Sequence, residues 1–156
     1  MHKTQRRHSK NKNLIRLFEV VVAKNKNSIA VIYDDHQFTY DEINKRANQL
    51  AHFIGKFNIS PNACVALYLE RNIETIIAFL AIMKAGYSYL PIDIEAPPQM
   101  IKNILDDANT SLILTETRFS ANIQALSSEH LTIVALDHLG ETLKQEKTTN
   151  LNNDRL

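Results

Sequence analysis

Apolar positions along this chain keep two rhythms, and the switches between them mark its elements. Leu14, Leu17, Phe18, Val21 and Val22 fall on one face of a 3.6-residue period and predict a helix over 14–24. Ser28 to Tyr33 is rich in β-formers, Asp34-Asp35-His36 is turn-like, and Gln37-Phe38 returns as a second short strand, so a hairpin is expected. Thr39 and Glu42 have the spacing of a capping box, in which hydroxyl and carboxylate each satisfy an orphan amide. Behind them Ile43, Ala47, Leu50, Ala51 and Ile54 line one face of a helix reaching about Lys56.

A turn at Asn58-Ile59-Ser60-Pro61-Asn62 precedes a continuous apolar run, Cys64 to Leu69, typical of a strand covered on both faces. Ile73, Ile76, Ile77, Leu80 and Met83 then give the most apolar helix of the chain, with Ala78, Phe79, Ala81 and Ile82 filling most of its remaining surface. Asn72 can cap it, Glu74 and Lys84 suit the two ends of its dipole, and Gly86 sits where a left-handed residue ends a helix.

Tyr87 to Ile92 reads as a strand with Asp93 at its carboxyl end. Pro97 and Pro98 suit the first turn of a helix buried through Ile101, Ile104, Leu105 and Ala108, with Asn109 as a left-handed stop. Leu112 to Leu114 is a third strand, Phe119 to Leu126 a weak helix, and Leu131 to Leu136 a fourth strand closed by Asp137.

From Cys64 onward the order is β-α-β-α-β-α-β with short links. It predicts an α/β fold: an open, mainly parallel sheet with right-handed crossovers and helices on both faces, preceded by a helix and a short hairpin. A simple run of such crossovers puts its three helices on one side and leaves 14–24 and 40–56 for the other. The last strand or a neighbour is then an open edge. The ends carry no core period: 1–13 reads as a basic disordered tail, 14–142 as the folded unit, and 143–156 as a polar, loose tail.

The totals add exclusions. With 44% hydrophobic and 22% charged residues, 156 residues are one domain's worth of ordinary globular chain. Net charge is +1, but Lys3, Arg6, Arg7, Lys10 and Lys12 make a local +5 in residues 1–13 and leave −4 over the other 143. That tail lacks aromatic residues to stack bases, so no nucleic-acid partner is expected. The longest apolar run, Ile76 to Met83, is far short of a membrane span, so no membrane partner is expected either. One cysteine, Cys64, makes no internal disulfide and points to a reducing cytoplasm. The three glycines, at 55, 86 and 140, are not clustered, which excludes a dinucleotide fingerprint and a Walker loop within these residues.

Candidate chemistry is sparse. The six histidines have no metal-binding spacing, and the pairs Asp34-Asp35 and Asp106-Asp107 point to different faces of their elements. Asp93, at a strand end where α/β sheets place ligands, is the best-placed polar side chain. Arg71 is a possible ligand-binding cation at a strand–helix corner, more simply read as a solvated or locally paired charge. No residue is assigned a catalytic, cofactor-binding or metal-ligating role.

Two stretches carry a resemblance. Lys84-Ala85-Gly86-Tyr87-Ser88-Tyr89-Leu90-Pro91-Ile92-Asp93 resembles the second core motif of nonribosomal peptide synthetase adenylation domains, within the AMP-binding, adenylate-forming enzyme superfamily. Phe38-Thr39-Tyr40-Asp41-Glu42-Ile43, followed by Asn44, Ala47, Asn48, Leu50 and Ala51, resembles the first. Glu70-Arg71-Asn72 is similar to a further segment, with asparagine where serine is common, and the similarity covers residues 14 to 140. Ile94, Ala96 and Met100 depart from the pattern, where proline, tyrosine and arginine are usual.

The resemblance implies the N-terminal portion of a longer amino-acid-activating domain, as a natural truncated product or a fragment. The parent reaction it implies is ATP- and Mg²⁺-dependent formation of an aminoacyl-adenylate, then transfer to a carrier's phosphopantetheine thiol. Implied too are no cofactor in this segment, no activity on its own, and partners in the rest of the domain or other synthetase modules. Self-association through exposed apolar surface is a further expectation. Two other classes stand beside it: a non-catalytic interaction protein reusing the half-domain, and an independent small α/β ligand-binding domain.

Overall fold

A computed structural model describes residues 13–127 and 129–152; the basic stretch 1–12 lies outside them. Asn13, taken with that tail in the sequence, instead starts the first helix. Its side chain accepts the Ile15 amide at 2.9 Å and caps α1 (Leu14–Lys24). Strands β1 (Ile29–Tyr33) and β2 (His36–Thr39) form the hairpin. Its turn residues Asp34 and Asp35 take φ of 45° and 62°, the pair of positive values a type I′ hairpin turn requires.

The capping box at the start of α2 (Tyr40–Ile54) is present in both directions. The Glu42 amide donates to Thr39 Oγ1 at 3.2 Å, and the Thr39 amide donates to Glu42 Oε2 at 2.7 Å. That backbone bond, seconded by the Thr39 hydroxyl, holds the Glu42 carboxyl below its ordinary pKa.

The sheet proper comprises β3 (Cys64–Tyr68), β4 (Ser88–Pro91), β5 (Leu112–Thr115) and β6 (Thr132–Ala135). All three pairings are parallel and the order is β4-β3-β5-β6. The crossovers are α3 (Ile73–Lys84), α4 (Pro98–Asp107) and α5 (Thr117–Leu126). A 3₁₀ turn at Leu136–His138 and a short α6 (Gly140–Lys144) follow.

The strand order corrects the expectation that all three crossover helices share a face. The chain steps one way from β3 to β4, then back past β3 to β5. Reversing the step while keeping the right-handed crossover moves the helix to the opposite face. Accordingly α3 joins α1 and α2 over Val65, Leu67, Leu112, Leu114 and Val134, while α4 and α5 cover Ala66, Tyr68 and Ile113.

Tyr87–Ile92 was expected to be covered on both faces, but β4 is shorter, lies at an edge and is largely exposed. Pro91 fits there, because a residue without an amide proton is tolerated at an edge. The tail from Leu143 is not loose over its described part: Glu146, Thr148, Thr149 and Asn150 all bond to side chains of α2. The exposed large apolar residues, moreover, lie chiefly on the outer side of α1 and on the hairpin, at Leu14, Leu17, Val20, Val21, Ile29, Ile32 and Tyr33.

Candidate functional site

Strands β3 and β5 are neighbours whose outgoing helices, α3 and α5, leave on opposite faces. Their carboxyl ends therefore bound the crevice at which sheets of this kind place ligands. Glu70 and Arg71 follow β3, Glu116, Thr117 and Arg118 follow β5, and Asp137 follows β6. These groups largely bind one another. Arg118 reaches Glu70 and Glu116, each at 2.7 Å, and its guanidinium lies 4.6 Å from the Phe119 ring centre. The bonds to Glu70 and then Glu116 raise the Arg118 pKa further.

The Thr117 amide and hydroxyl donate to Asp137 Oδ1 at 2.9 and 3.0 Å. Desolvation pushes the Asp137 carboxyl up, but the bonds from the Thr117 amide and hydroxyl, helped by Asp137's own backbone and by His138, together outweigh it and lower its pKa. Thr115, fully buried, donates its hydroxyl to the Tyr68 carbonyl at 2.8 Å and so ties the two central strands together at their ends.

On the α2–α3 side of this crevice lies a cleft of about 600 Å³. Leu50, Leu69, Ile77, Leu136 and Leu143 line it, with Arg46, Gln49, Glu74, Glu116, Asp137 and Lys144 as its polar wall. Arg46 bonds Glu74 at 2.5 Å across it. A second hollow, of about 560 Å³, opens toward the β4 edge and brings together Arg71 and Asp93, the two residues singled out in the sequence.

Asp93 has a structural task there: its Oδ1 accepts the Glu95 amide at 2.9 Å and closes the turn after β4. It also adds to desolvation in raising the Tyr68 phenol, whose hydroxyl donates to the Ile94 carbonyl at 3.1 Å. Arg71 is exposed. Asp34 and Asp35 form the hairpin turn and Asp106 and Asp107 end α4, as expected. Among the described residues no group of three His, Cys, Asp or Glu side chains is arranged to hold a metal ion.

Sequence reasoning missed the Arg118–Glu70–Glu116 cluster, the Arg46–Glu74 pair and Asp137 as a partner of Thr117. A signal was available: each of β3, β5 and β6 is followed within two residues by an acidic side chain. Lys84, expected as a dipole partner in the last turn of α3, has a different fate. Lys84 is 0% exposed, with Nζ 2.5 Å from Glu19 Oε1 of α1 and 5.8 Å from the Phe18 ring centre. Burial lowers its pKa, and Glu19 partly opposes that shift.

Comparison with known proteins gives this geometry a context. The model of the family described as AMP-binding enzyme matches residues 18–155. Bacitracin synthase 2 of Bacillus licheniformis is 40% identical over 114 residues, which are 73% of this chain and 4% of that one. Tyrocidine synthase 1 of Brevibacillus parabrevis is 34% identical over 146 residues, 92% of this chain and 13% of the relative.

Among solved structures, the nonribosomal peptide synthetase FmoA3, in a form bound to α-methyl-L-serine-AMP, superposes with a TM-score of 0.77 at 23% identity. The match covers 88% of this chain and 15% of that one. The N-terminal subdomain of Klebsiella oxytoca NpsA gives 0.73 at 19% identity, over 90% and 34%. These likenesses are of fold. The chain spans a small part of each relative's length.

Proposed function

The chain belongs to the AMP-binding enzyme family, and on that footing we propose that it forms the N-terminal part of an amino-acid adenylation domain of a nonribosomal peptide synthetase. The parent reaction is activation of a carboxylate by ATP to an acyl-adenylate, followed by thioester formation on a phosphopantetheine carrier. This segment supplies scaffold to that reaction and is inactive alone.

The observation that carries the scaffold reading is the internal pairing at the carboxyl ends of the strands. Arg118, Glu70, Glu116, Thr117 and Asp137 are occupied with one another. The residues present do not fit a magnesium–nucleotide complex: the chain has no clustered glycines to cradle phosphates, and its described carboxylates form no ion-binding group. No chemical step is therefore assigned to them. The outer face of α1 and the hairpin are covered, on this reading, by the remainder of the domain. Their exposed apolar residues make the isolated chain prone to self-association.

Amino-acid-dependent exchange of pyrophosphate into ATP tests the proposal in two arms. The isolated chain should give none above a no-protein control with any of the twenty amino acids, and measurable exchange would overturn the scaffold reading. Substituted for the matching segment of tyrocidine synthase 1, the chain should support exchange; a folded chimera without it would overturn the assignment to an adenylation domain.

A further inference from the structure

Asn44 and Asn48 lie on the face of α2 that is otherwise apolar, and they are 7% and 0% exposed. A buried amide nitrogen without a partner is costly, so the identity of its partner bears on why asparagine is tolerated there; the Oδ1 atoms of Asn44 and Asn48 are buried and accept no hydrogen bond among the described residues. That partner comes from about a hundred residues away. Asn44 Nδ2 and Asn48 Nδ2 each donate to Asn150 Oδ1 at 3.0 Å, and Asn48 Nδ2 also donates to the Thr148 carbonyl at 2.7 Å. Lys84 Nζ stands 3.5 Å from the same Asn150 oxygen. With two amides closer, the ammonium acts on that oxygen mainly through its charge.

We propose that Asn44, Asn48 and Lys84 form a receptor for the side-chain oxygen of Asn150, and that this latch fixes the path of residues 146–151 across α2. The residues that carry both motifs of the resemblance thus converge on one acceptor. Bonds along the rest of the segment follow its line: Gln49 donates to the Glu146 carbonyl, His52 Nε2 lies 3.0 Å from the Thr149 carbonyl, and Lys56 pairs with Glu146. The receptor reads an oxygen rather than a shape, because two amide protons and a buried ammonium face it. The proposal stands independently of the adenylation reading, since it concerns where the chain lies and not what it catalyses.

The rate of trypsin cleavage after Lys147 in the full chain tests it, with Asn150→Ala, Asn150→Leu and Asn150→Asp. Loss of the acceptor strands the buried Asn44 amide and leaves Asn48 only the Thr148 carbonyl, so Ala and Leu should free the segment and speed cleavage by about tenfold or more. Asp offers the same donors an oxygen and adds a charge opposite Lys84, so it should remain within about threefold of wild type. A wild-type rate in Asn150→Leu would overturn the latch, as would an Asp variant cleaved as fast as the Ala variant. Should Ala unfold the whole chain, the Asp–Leu contrast decides: slow cleavage with Asp and fast cleavage with Leu supports the receptor, and equal behaviour overturns it.

Discussion

The two faces of the sheet are built to different standards. The face under α1, α2 and α3 holds the larger core, the buried Lys84–Glu19 pair and the Asn150 latch. Its helices begin with side-chain caps: Asn13 on α1, Thr39 on α2, and Asn72 accepting the amides of Glu74 and Thr75 on α3. The other face rests on α4 and α5, whose N-cap residues Pro97 and Glu116 make no side-chain cap; on α5 the Thr117 amide is taken by the distant Asp137 instead. Its fully or nearly buried residues are few, Ile101, Leu105, Ile113 and Ile123 among them. Caps and apolar stripes are local features that leave a pattern in the sequence, and they concentrate on the first face; its buried polar partners, Glu19 for Lys84 and Asn150 for Asn44 and Asn48, come from distant positions and leave none.

The largest contrast comes from deleting equal volume on each face. Ile82, at 0% exposed in α3, and Ile101, at 2% in α4, are both buried. Ile82→Ala should cost about 4 kcal/mol, toward the upper end for such truncations, because α3 is packed between the sheet and α2 and cannot collapse into the hole. Ile101→Ala should cost about 2 kcal/mol, since α4 has solvent behind it and can settle inward. Urea midpoints measure both, and equal shifts would erase the distinction.

The two faces also end their helices differently. Gly86 ends α3 at φ 83° and Asn109 follows α4 at φ 50°. Gly86→Ala forces a β-carbon into the left-handed region and should cost about 1–2 kcal/mol. Asn109→Gly should change stability by less than about 0.5 kcal/mol, because asparagine already tolerates that backbone and glycine adds only unfolded-state freedom. A neutral Gly86→Ala in thermal melts would show that the α3 terminus relaxes, and the well-built face would lose one of its marks.

These same elements show what could be read from the chain. The capping box at Thr39–Glu42, the cap at Asn72, and the stops at Gly86 and Asn109 are legible because each needs particular residue types within a few positions. The face taken by α3 was not, since it depends on strand order, and a β-α-β run does not reveal whether the next strand adds outward or steps back. Pro91 could have marked β4 as an edge. Asp93 and Arg71 were singled out by their places at a strand end and a strand–helix corner, and they line the hollow at the β4 edge; in the crevice, an acidic residue just after each strand marked Glu70 and Glu116, but their shared partner Arg118 assembles with them across two strands and left no local spacing. The docked tail was illegible for a related reason: its apolar content is low, and its partners are side chains about a hundred residues back.

Capping separates the faces by a smaller amount. Thr39→Ala should cost about 1 kcal/mol in a denaturation series, as removal of an N-cap hydroxyl does. Glu116→Ala at the start of α5 removes no cap, so any cost must come from its bonds to Arg118 and the Glu70 amide, which are exposed and screened by salt. Raising ionic strength should therefore shrink the Glu116→Ala effect and leave the Thr39→Ala effect nearly unchanged.

The smallest expected effect concerns two surface ion pairs of identical spacing and opposite sense. In α2, Asp41 precedes Lys45 by four residues and bonds it at 2.7 Å. In α4, Lys102 precedes Asp106 by four and bonds it at 2.8 Å. Asp41 lies in the first turn of its helix, where the dipole favours a carboxylate, whereas Asp106 lies in the last turn of α4, beside Asp107, where it is disfavoured. Asp41→Asn should therefore cost about 0.5 kcal/mol, pair and dipole acting together. For Asp106→Asn the two contributions oppose, and the change should lie within about 0.3 kcal/mol of zero. Both values should fall toward zero in molar salt, where exposed charges are screened. A cost for Asp106→Asn equal to that for Asp41→Asn at low salt would mean that pairing alone, not its direction along the helix, sets the contribution, and that the two faces do not differ in how their surface charges are placed.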